Sequence, residues 1–247
     1  MTYCVGMTLK NGLVFMSDTR TNAGVDDIAS VKKMHTWTVE GDRVITLMTA
    51  GNLATTQALV SLLSERSMKP KKRDPSIMKA PTMFQVARLV GDTLREVIQA
   101  NEGKKGQRTD SVFNATVILG GQIKGMPPRL FMVYPEGNFI EASTDNPFFQ
   151  IGETKYGKPI LVRAYDPEMS YEDAMKLLLV SFDSTMKANL SVGLPLDYEI
   201  YETDSYDASR HGRITTDNPH YRQISDGWGD AIKTAFLSLP DYNFDAE

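Results

Sequence analysis

The second residue of the chain is a threonine. Loss of Met1, expected because initiator methionine is readily cleaved before so small a side chain, leaves Thr2 with a hydroxyl and a free α-amine. A residue with that pair of groups can be nucleophile and base at once: the hydroxyl attacks a carbonyl while the amine, ordinarily near neutral in pKa, carries its proton. Many ordinary proteins begin Met-Thr, so the weight of this reading comes from the residues that follow. Asp18 and the pair Lys32-Lys33 are of the right types. A lysine reaching the Thr2 hydroxyl lowers its pKa and orients it, and a carboxylate beside that lysine holds it in place. Taken singly, Asp18 also reads as a turn residue and Lys32-Lys33 as a solvated pair.

The surrounding pattern predicts how these residues meet. Thr2 to Leu9 and Leu13 to Asp18 are apolar, β-branched-rich runs around Lys10-Asn11-Gly12, and Asn and Gly tolerate the backbone angles of a tight hairpin turn. Antiparallel pairing returns Asp18 to the neighbourhood of Thr2, which is expected to start an edge of the sheet. Thr36 to Val39 and Arg43 to Thr49 read as strands. Asn52 to Arg66 has the helical period, with Leu53, Leu59, Val60, Leu62 and Leu63 on one side. Ser67 to Pro81, with its prolines and basic residues, reads as a loop, and Thr82 to Ala100 as a second helix. Strands are expected at Asn114 to Gly120, Leu130 to Tyr134 and Phe139 to Gly152, with turns at Gly120-Gly121 and Glu136-Gly137-Asn138. Helices follow at Lys158 to Ala164 and Ser170 to Asn189, then a strand from Pro195 to Thr203. Asp204 to Pro219 is polar and unpatterned. Tyr221 to Leu239 is helix-like, with Ile224, Trp228, Ile232 and Phe236 as a core or subunit-contact stripe. Strands and helices in this order fit two sheets between helix layers.

Thr2, Asp18 followed by Thr19-Arg20, and the Lys-Lys pair together resemble the opening of the proteasome β-subunit and bacterial proteasome-like peptidase superfamily. Val44 to Thr55 resembles that superfamily's strand, glycine turn and helix start, and the length and long tail resemble its Anbu (ancestral beta-subunit) branch. The resemblance implies an α+β fold, a four-layer αββα sandwich of the N-terminal-nucleophile hydrolase type. It implies one domain over residues 1–247 with a helical extension from about 204 to 247. Thr2 then matches the nucleophile, Asp18 its acidic partner, Lys33 the catalytic lysine and Gly51 the oxyanion amide. Arg20 is a structural neighbour on the substrate side with Thr21, and Asp183 in Phe182-Asp183-Ser184-Thr185 braces the nucleophile from behind. One motif departs: where the superfamily has a Ser-Gly-Gly loop, this chain has Ile151-Gly152-Glu153-Thr154, with Glu153 or Thr154 as the substitute acceptor near the Thr2 amine. The implied activity is peptide or amide hydrolysis through a Thr2 acyl-enzyme, in a homo-oligomeric ring or open spiral. A small-amide hydrolase and a weakly active scaffold or binding subunit are the alternatives.

Composition sets bounds on this reading. At 247 residues and 41% hydrophobic, the chain can bury one substantial core. A net charge of −4 disfavours a nucleic-acid-binding face, which needs a basic excess, and the basic run at 69–73 reads as a solvated loop. The single cysteine, Cys4, can form no intrachain disulfide and suits a reducing cytoplasm. The hydrophobic runs are too short for a membrane span and the start lacks a leader pattern. His35, His211 and His220 are scattered, so no metal is expected, and no phosphate loop points to a cofactor.

Overall fold

The computed structural model describes residues 2–22, 28–68, 75–101 and 113–244. Met1 and the basic run at 69–73, discussed above, lie outside the described residues. Strands β1 (Tyr3–Leu9) and β2 (Gly12–Asp18) form the expected hairpin, turned by Lys10 and Asn11 with Leu9 opposite Gly12. A short ribbon of β3 (Arg20–Asn22) and β4 (Ile28–Ser30) leads to a second hairpin, β5 (Met34–Val39) and β6 (Arg43–Gly51). Helices α1 (Leu53–Met68) and α2 (Met83–Asn101) follow. Next come strands β7 (Ala115–Ile123), β8 (Arg129–Val133), β9 (Phe139–Glu141) and β10 (Phe148–Gly152). The chain continues through α3 (Lys158–Ala164), α4 (Tyr171–Ala188), β11 (Leu196–Glu202), β12 (His211–Ile214) and α5 (Pro219–Leu237).

Side chains that stop the chain from continuing as strand or coil mark the helix starts. Asn52 Oδ1 accepts from the Thr55 amide, Thr82 Oγ1 from Gln85, Ser170 Oγ from Asp173 and Asn218 Oδ1 from Tyr221, each satisfying an amide that the first helical turn leaves without an intrahelical partner. Pro219 opens α5, where a missing N–H is harmless.

Among the described residues the strands form two five-stranded antiparallel sheets, ordered β10-β1-β2-β11-β12 and β5-β6-β7-β8-β9. Period-two alternation divides each strand between two apolar layers. On β2, Val14 and Met16 face Leu161 of α3 and Leu178 and Phe182 of α4, while Leu13 and Phe15 face the other sheet. On β6, Ile45 and Leu47 face Leu59 of α1 and Val90 of α2, while Val44 and Met48 turn inward to meet Leu13 and Phe15. The result is the four-layer αββα sandwich, and strands covered on both faces read as nearly continuous apolar runs.

Several expectations are corrected. β1 is not an edge strand: β10 pairs with it on the outer side, Tyr3 opposite Gly152. The single strand expected over Phe139 to Gly152 is two, with β9 in one sheet and β10 in the other. Gly120-Gly121 is no turn but the middle of β7, where a Cβ on Gly120 would lie 2.6 Å from the Phe15 ring and one on Gly121 2.1 Å from Val44 O. Those glycines let the two sheets and their strands approach closely. The tail after Thr203 is partly structured: Asp204 is held by Gln122, which also accepts from Tyr201, and β12 completes the first sheet. Of the α5 stripe, Ile224 packs on the α4 side, whereas Ile232 and Phe236 are exposed.

Candidate active site

The β1–β2 register sets Cys4 opposite Ser17, so the next residues outward, Tyr3 and Asp18, meet at the end of the hairpin. There Asp18 Oδ1 accepts from the Tyr3 amide at 2.9 Å. Thr2 is held from the other side by the end of β10, where the Glu153 amide donates to Thr2 O at 2.6 Å. Gly152 makes that approach possible: its φ is +83° and a Cβ there would lie 2.0 Å from Thr2 O. Tyr3 anchors the same segment from below. Its hydroxyl bonds Ser181 Oγ at 2.7 Å and accepts from Gln150 Nε2 at 2.6 Å, and its ring stacks against Phe182. Burial pushes its phenol pKa up to about 12, against the pull of those hydrogen bonds.

Lys33 stands in the link between β4 and β5, and its backbone is fixed to β6 by the Thr49 amide, 3.1 Å from Lys33 O. From there Nζ reaches Asp18 Oδ1 at 2.7 Å and Arg20 O at 2.6 Å. The pair is almost dry, with side-chain exposures of 8% for Lys33 and 0% for Asp18. Burial raises the Asp18 pKa, and the Lys33 ammonium and the Tyr3 amide pull it back toward the ionised form. Lys32, its sequence neighbour, is exposed instead. A cleft of about 410 Å³ opens above these groups, with Thr2, Thr21, Lys33 and Gly51 in its wall. Gly51 ends β6 at φ +122°, where a Cβ would meet Asn114 O at 2.4 Å, and α1 begins two residues later. Its backbone and the N-terminal turn of α1 therefore face the space over Thr2, a setting that favours negative charge.

The remaining residues singled out from the sequence sit elsewhere. Arg20 donates to Leu190 O at 2.9 Å and lies over Gly193, tying the start of β3 to the turn after α4, while only its carbonyl touches Lys33. Glu153 is buried, and its carboxylate accepts from Asn189 Nδ2 and the Lys155 amide, so it holds Thr2 by its own amide and not through its side chain. Asp183 is buried on α4 but takes hydrogen bonds from Tyr221 and Ser225 of α5 and faces Lys187, so it fastens α5 to α4. Sequence reasoning passed over Tyr3 and Gly152, and took Lys32 only as the neighbour of the catalytic lysine and His35 only as a scattered histidine. A glycine one place before the expected serine loop was the available signal for Gly152. Nothing in the sequence places Lys32 and His35 in the wall of the cleft, because they reach it only once β5 and the link before it have packed beside β6. Among the described residues no cluster of His, Cys, Asp or Glu is arranged to hold a metal ion.

A four-layer sandwich with Thr2 in the wall of a cleft beside a buried lysine–carboxylate pair defines the class. Residues 2–194 match the family described as proteasome subunit, and the chain belongs to that family. Anbu proteins are among the solved structures it resembles. A Gly-1 mutant of Anbu from Hyphomicrobium sp. strain MC1 is 49% identical, with a TM-score of 0.91 over 98% of this chain and 100% of that one. Anbu from Yersinia bercovieri is 47% identical, with a TM-score of 0.91 over 98% of this chain and 99% of that one. The helical assembly of the Anbu complex from Pseudomonas aeruginosa is 42% identical in its chain, with a TM-score of 0.91 over 99% of this chain and 100% of that one. No curated protein matches the chain. No described helix is long and apolar enough to cross a membrane.

Proposed function

We propose that the protein is a threonine-type peptidase or amidohydrolase of the cytoplasm, a single proteasome-type domain with a helical extension over 204–247, working as a homo-oligomer in a ring or open spiral. Thr2, first in the chain once Met1 is removed, attacks the substrate carbonyl through Oγ. Its own amine, through a water, takes the hydroxyl proton and passes it to the leaving amine, and the Gly51 amide holds the oxyanion. Lys33, held in place by Asp18, lowers the pKa of the hydroxyl. Water, deprotonated by the same amine, then hydrolyses the ester and frees Thr2. The observation that carries this reading is the Lys33–Asp18 contact of 2.7 Å, bonded to the Tyr3 amide beside Thr2 in the wall of a cleft. Assembly is supported by the helical assembly of the Pseudomonas aeruginosa relative and by the exposed apolar side chains Phe236, Leu237, Leu239 and Phe244 at the end of this chain.

A peptide epoxyketone tests the chemistry, because its two adjacent reactive carbons are closed into a ring only by a residue carrying both a hydroxyl and a free amine. The expected result is an intact mass beginning at Thr2, one stable adduct mapped to Thr2, and no adduct in Thr2→Ala. Retention of Met1 in most molecules, or labelling that persists in Thr2→Ala, refutes the proposal. A weakly active subunit is the second reading, favoured by the serine-free loop at 151–154, and it is supported if Met1 is absent yet no probe labels Thr2.

A further inference from the structure

The charges around the cleft do not match those of the chain. The protein has 31 acidic and 27 basic residues and a net charge of −4. Among the described residues, the ionisable side chains lining the cleft beside Thr2 are Lys32, Lys33 and His35, with no carboxylate. Lys33 is neutralised from beneath by Asp18. Lys32 is not: it is exposed and forms no ion pair with a described residue. Lys32 also borders a neighbouring cavity lined by Asp197, Glu199 and Asp207 and acts electrostatically on Glu199, but Asp197 is paired with Arg213, the Glu199 oxygens are taken by the Thr36 and Thr46 hydroxyls, and Asp207 accepts from Ser209 Oγ. His35 is half-buried, and burial together with Lys32 lowers its pKa, so it faces the cleft as a neutral hydrogen-bonding ring. Helix α1 adds to this, since Leu53, Thr56 and Gln57 of its first turns line the same space and that end carries no acidic side chain.

Resting on the hydrolase reading above, we infer that the cleft selects an anionic substrate, a peptide or amide whose residue on the acyl side of the scissile bond carries a carboxylate. The carbonyl under attack must lie between Thr2 and Gly51, both in the wall of this cleft. The side chain one bond from that carbonyl is the one that can drop into the same space, where Lys32 is the exposed cation that forms no ion pair with a described residue. Lys32 is thus a specificity residue: it recognises the substrate's side chain and takes no part in proton transfer.

Three peptide epoxyketones identical except for glutamate, leucine or lysine at the reactive end read this out as second-order rates of Thr2 labelling by intact mass. The glutamate probe should label roughly tenfold faster than the leucine probe, with the lysine probe slowest, and about 0.5 M salt should compress the glutamate-to-lysine ratio. Lys32→Glu should invert the order and Lys32→Gln should bring the glutamate-to-lysine ratio close to one. Both are exposed substitutions, and their ratios are internally controlled against any general loss of activity. A leucine or lysine preference in the parent, or an unchanged ratio in Lys32→Glu, overturns the inference and leaves the hydrolase reading standing. If none of the three probes labels Thr2, the hydrolase reading fails and the inference falls with it.

Discussion

Replacing Lys33 with methionine isolates the charge of the buried pair, because methionine keeps most of the apolar stem while removing the ammonium. Lys33 Nζ and Asp18 Oδ1 lie 2.7 Å apart with side-chain exposures of 8% and 0%. Breaking such a pair leaves an uncompensated carboxylate in a dry site, a loss of about 3–5 kcal/mol. Asp18 can escape by taking a proton. Burial already raises its pKa, and removal of Lys33 deletes the strongest influence opposing that rise. The folded variant then holds a proton that the unfolded chain releases above about pH 3.9, so its stability grows as pH falls, by about 1.4 kcal/mol per unit in the window between the two values. Urea unfolding followed by the fluorescence of Trp37 and Trp228 should therefore show a deficit of about 3 kcal/mol or more at about pH 8 that narrows by at least about 1.4 kcal/mol near pH 5. Adding Asp18→Asn removes the stranded charge and should recover most of the loss at the higher pH. Labelling of Thr2 should fall by about two orders of magnitude in Lys33→Met at either pH, because the hydroxyl loses the cation that favours its ionised form. A deficit that is the same at both pH values, or no recovery on adding Asp18→Asn, refutes the argument that this pair is charged and uncompensated without its lysine.

Gly51→Ala forces a side chain onto a backbone with φ +122° and to within 2.4 Å of Asn114 O, so it should lower stability by about 1–3 kcal/mol and slow labelling more than tenfold as the amide shifts. Parent-like melting and labelling would show that the β6–α1 turn yields freely. Glu199 is 3% exposed between the sheets, and burial, set against hydrogen bonds from Thr36 at 2.5 Å and from Thr46, raises its pKa. A carboxyl that grips its proton more tightly when folded favours the fold below its ordinary value of about 4.3, and that contribution is lost as pH rises through the raised one. Glu199→Gln should therefore raise Tm relative to the parent near pH 8 and by less near pH 4.5, and an equal offset at both pH values would rule out this account.

The amino-acid sequence by itself determined the hairpin, the layers and the meeting of Asp18 with the start of the chain. An Asn-containing turn between two apolar runs leaves antiparallel pairing as the arrangement that buries both, and that pairing alone carries Asp18 back beside Thr2. Helical and strand periods are local properties, so α1, α2, α4 and most strands were legible within a few residues. What only the tertiary structure decided was partnership between distant segments. Alternation marks Phe139 to Gly152 as strand-like but does not show that it breaks into β9 and β10 in different sheets, and it cannot show that β10 covers β1 and that the Glu153 amide after it holds Thr2. Gly120-Gly121 looks like a turn because close approach to Phe15 is invisible until the sheets are stacked. Asp183 has the residue type of a catalytic brace, yet the docking of α5 turns its carboxylate to Tyr221 and Ser225. Lys32 and Lys33 are adjacent in the chain and chemically alike. The link between β4 and β5, its Lys33 carbonyl tied to the Thr49 amide of β6, places one in the dry contact with Asp18 and leaves the other exposed on the cleft wall.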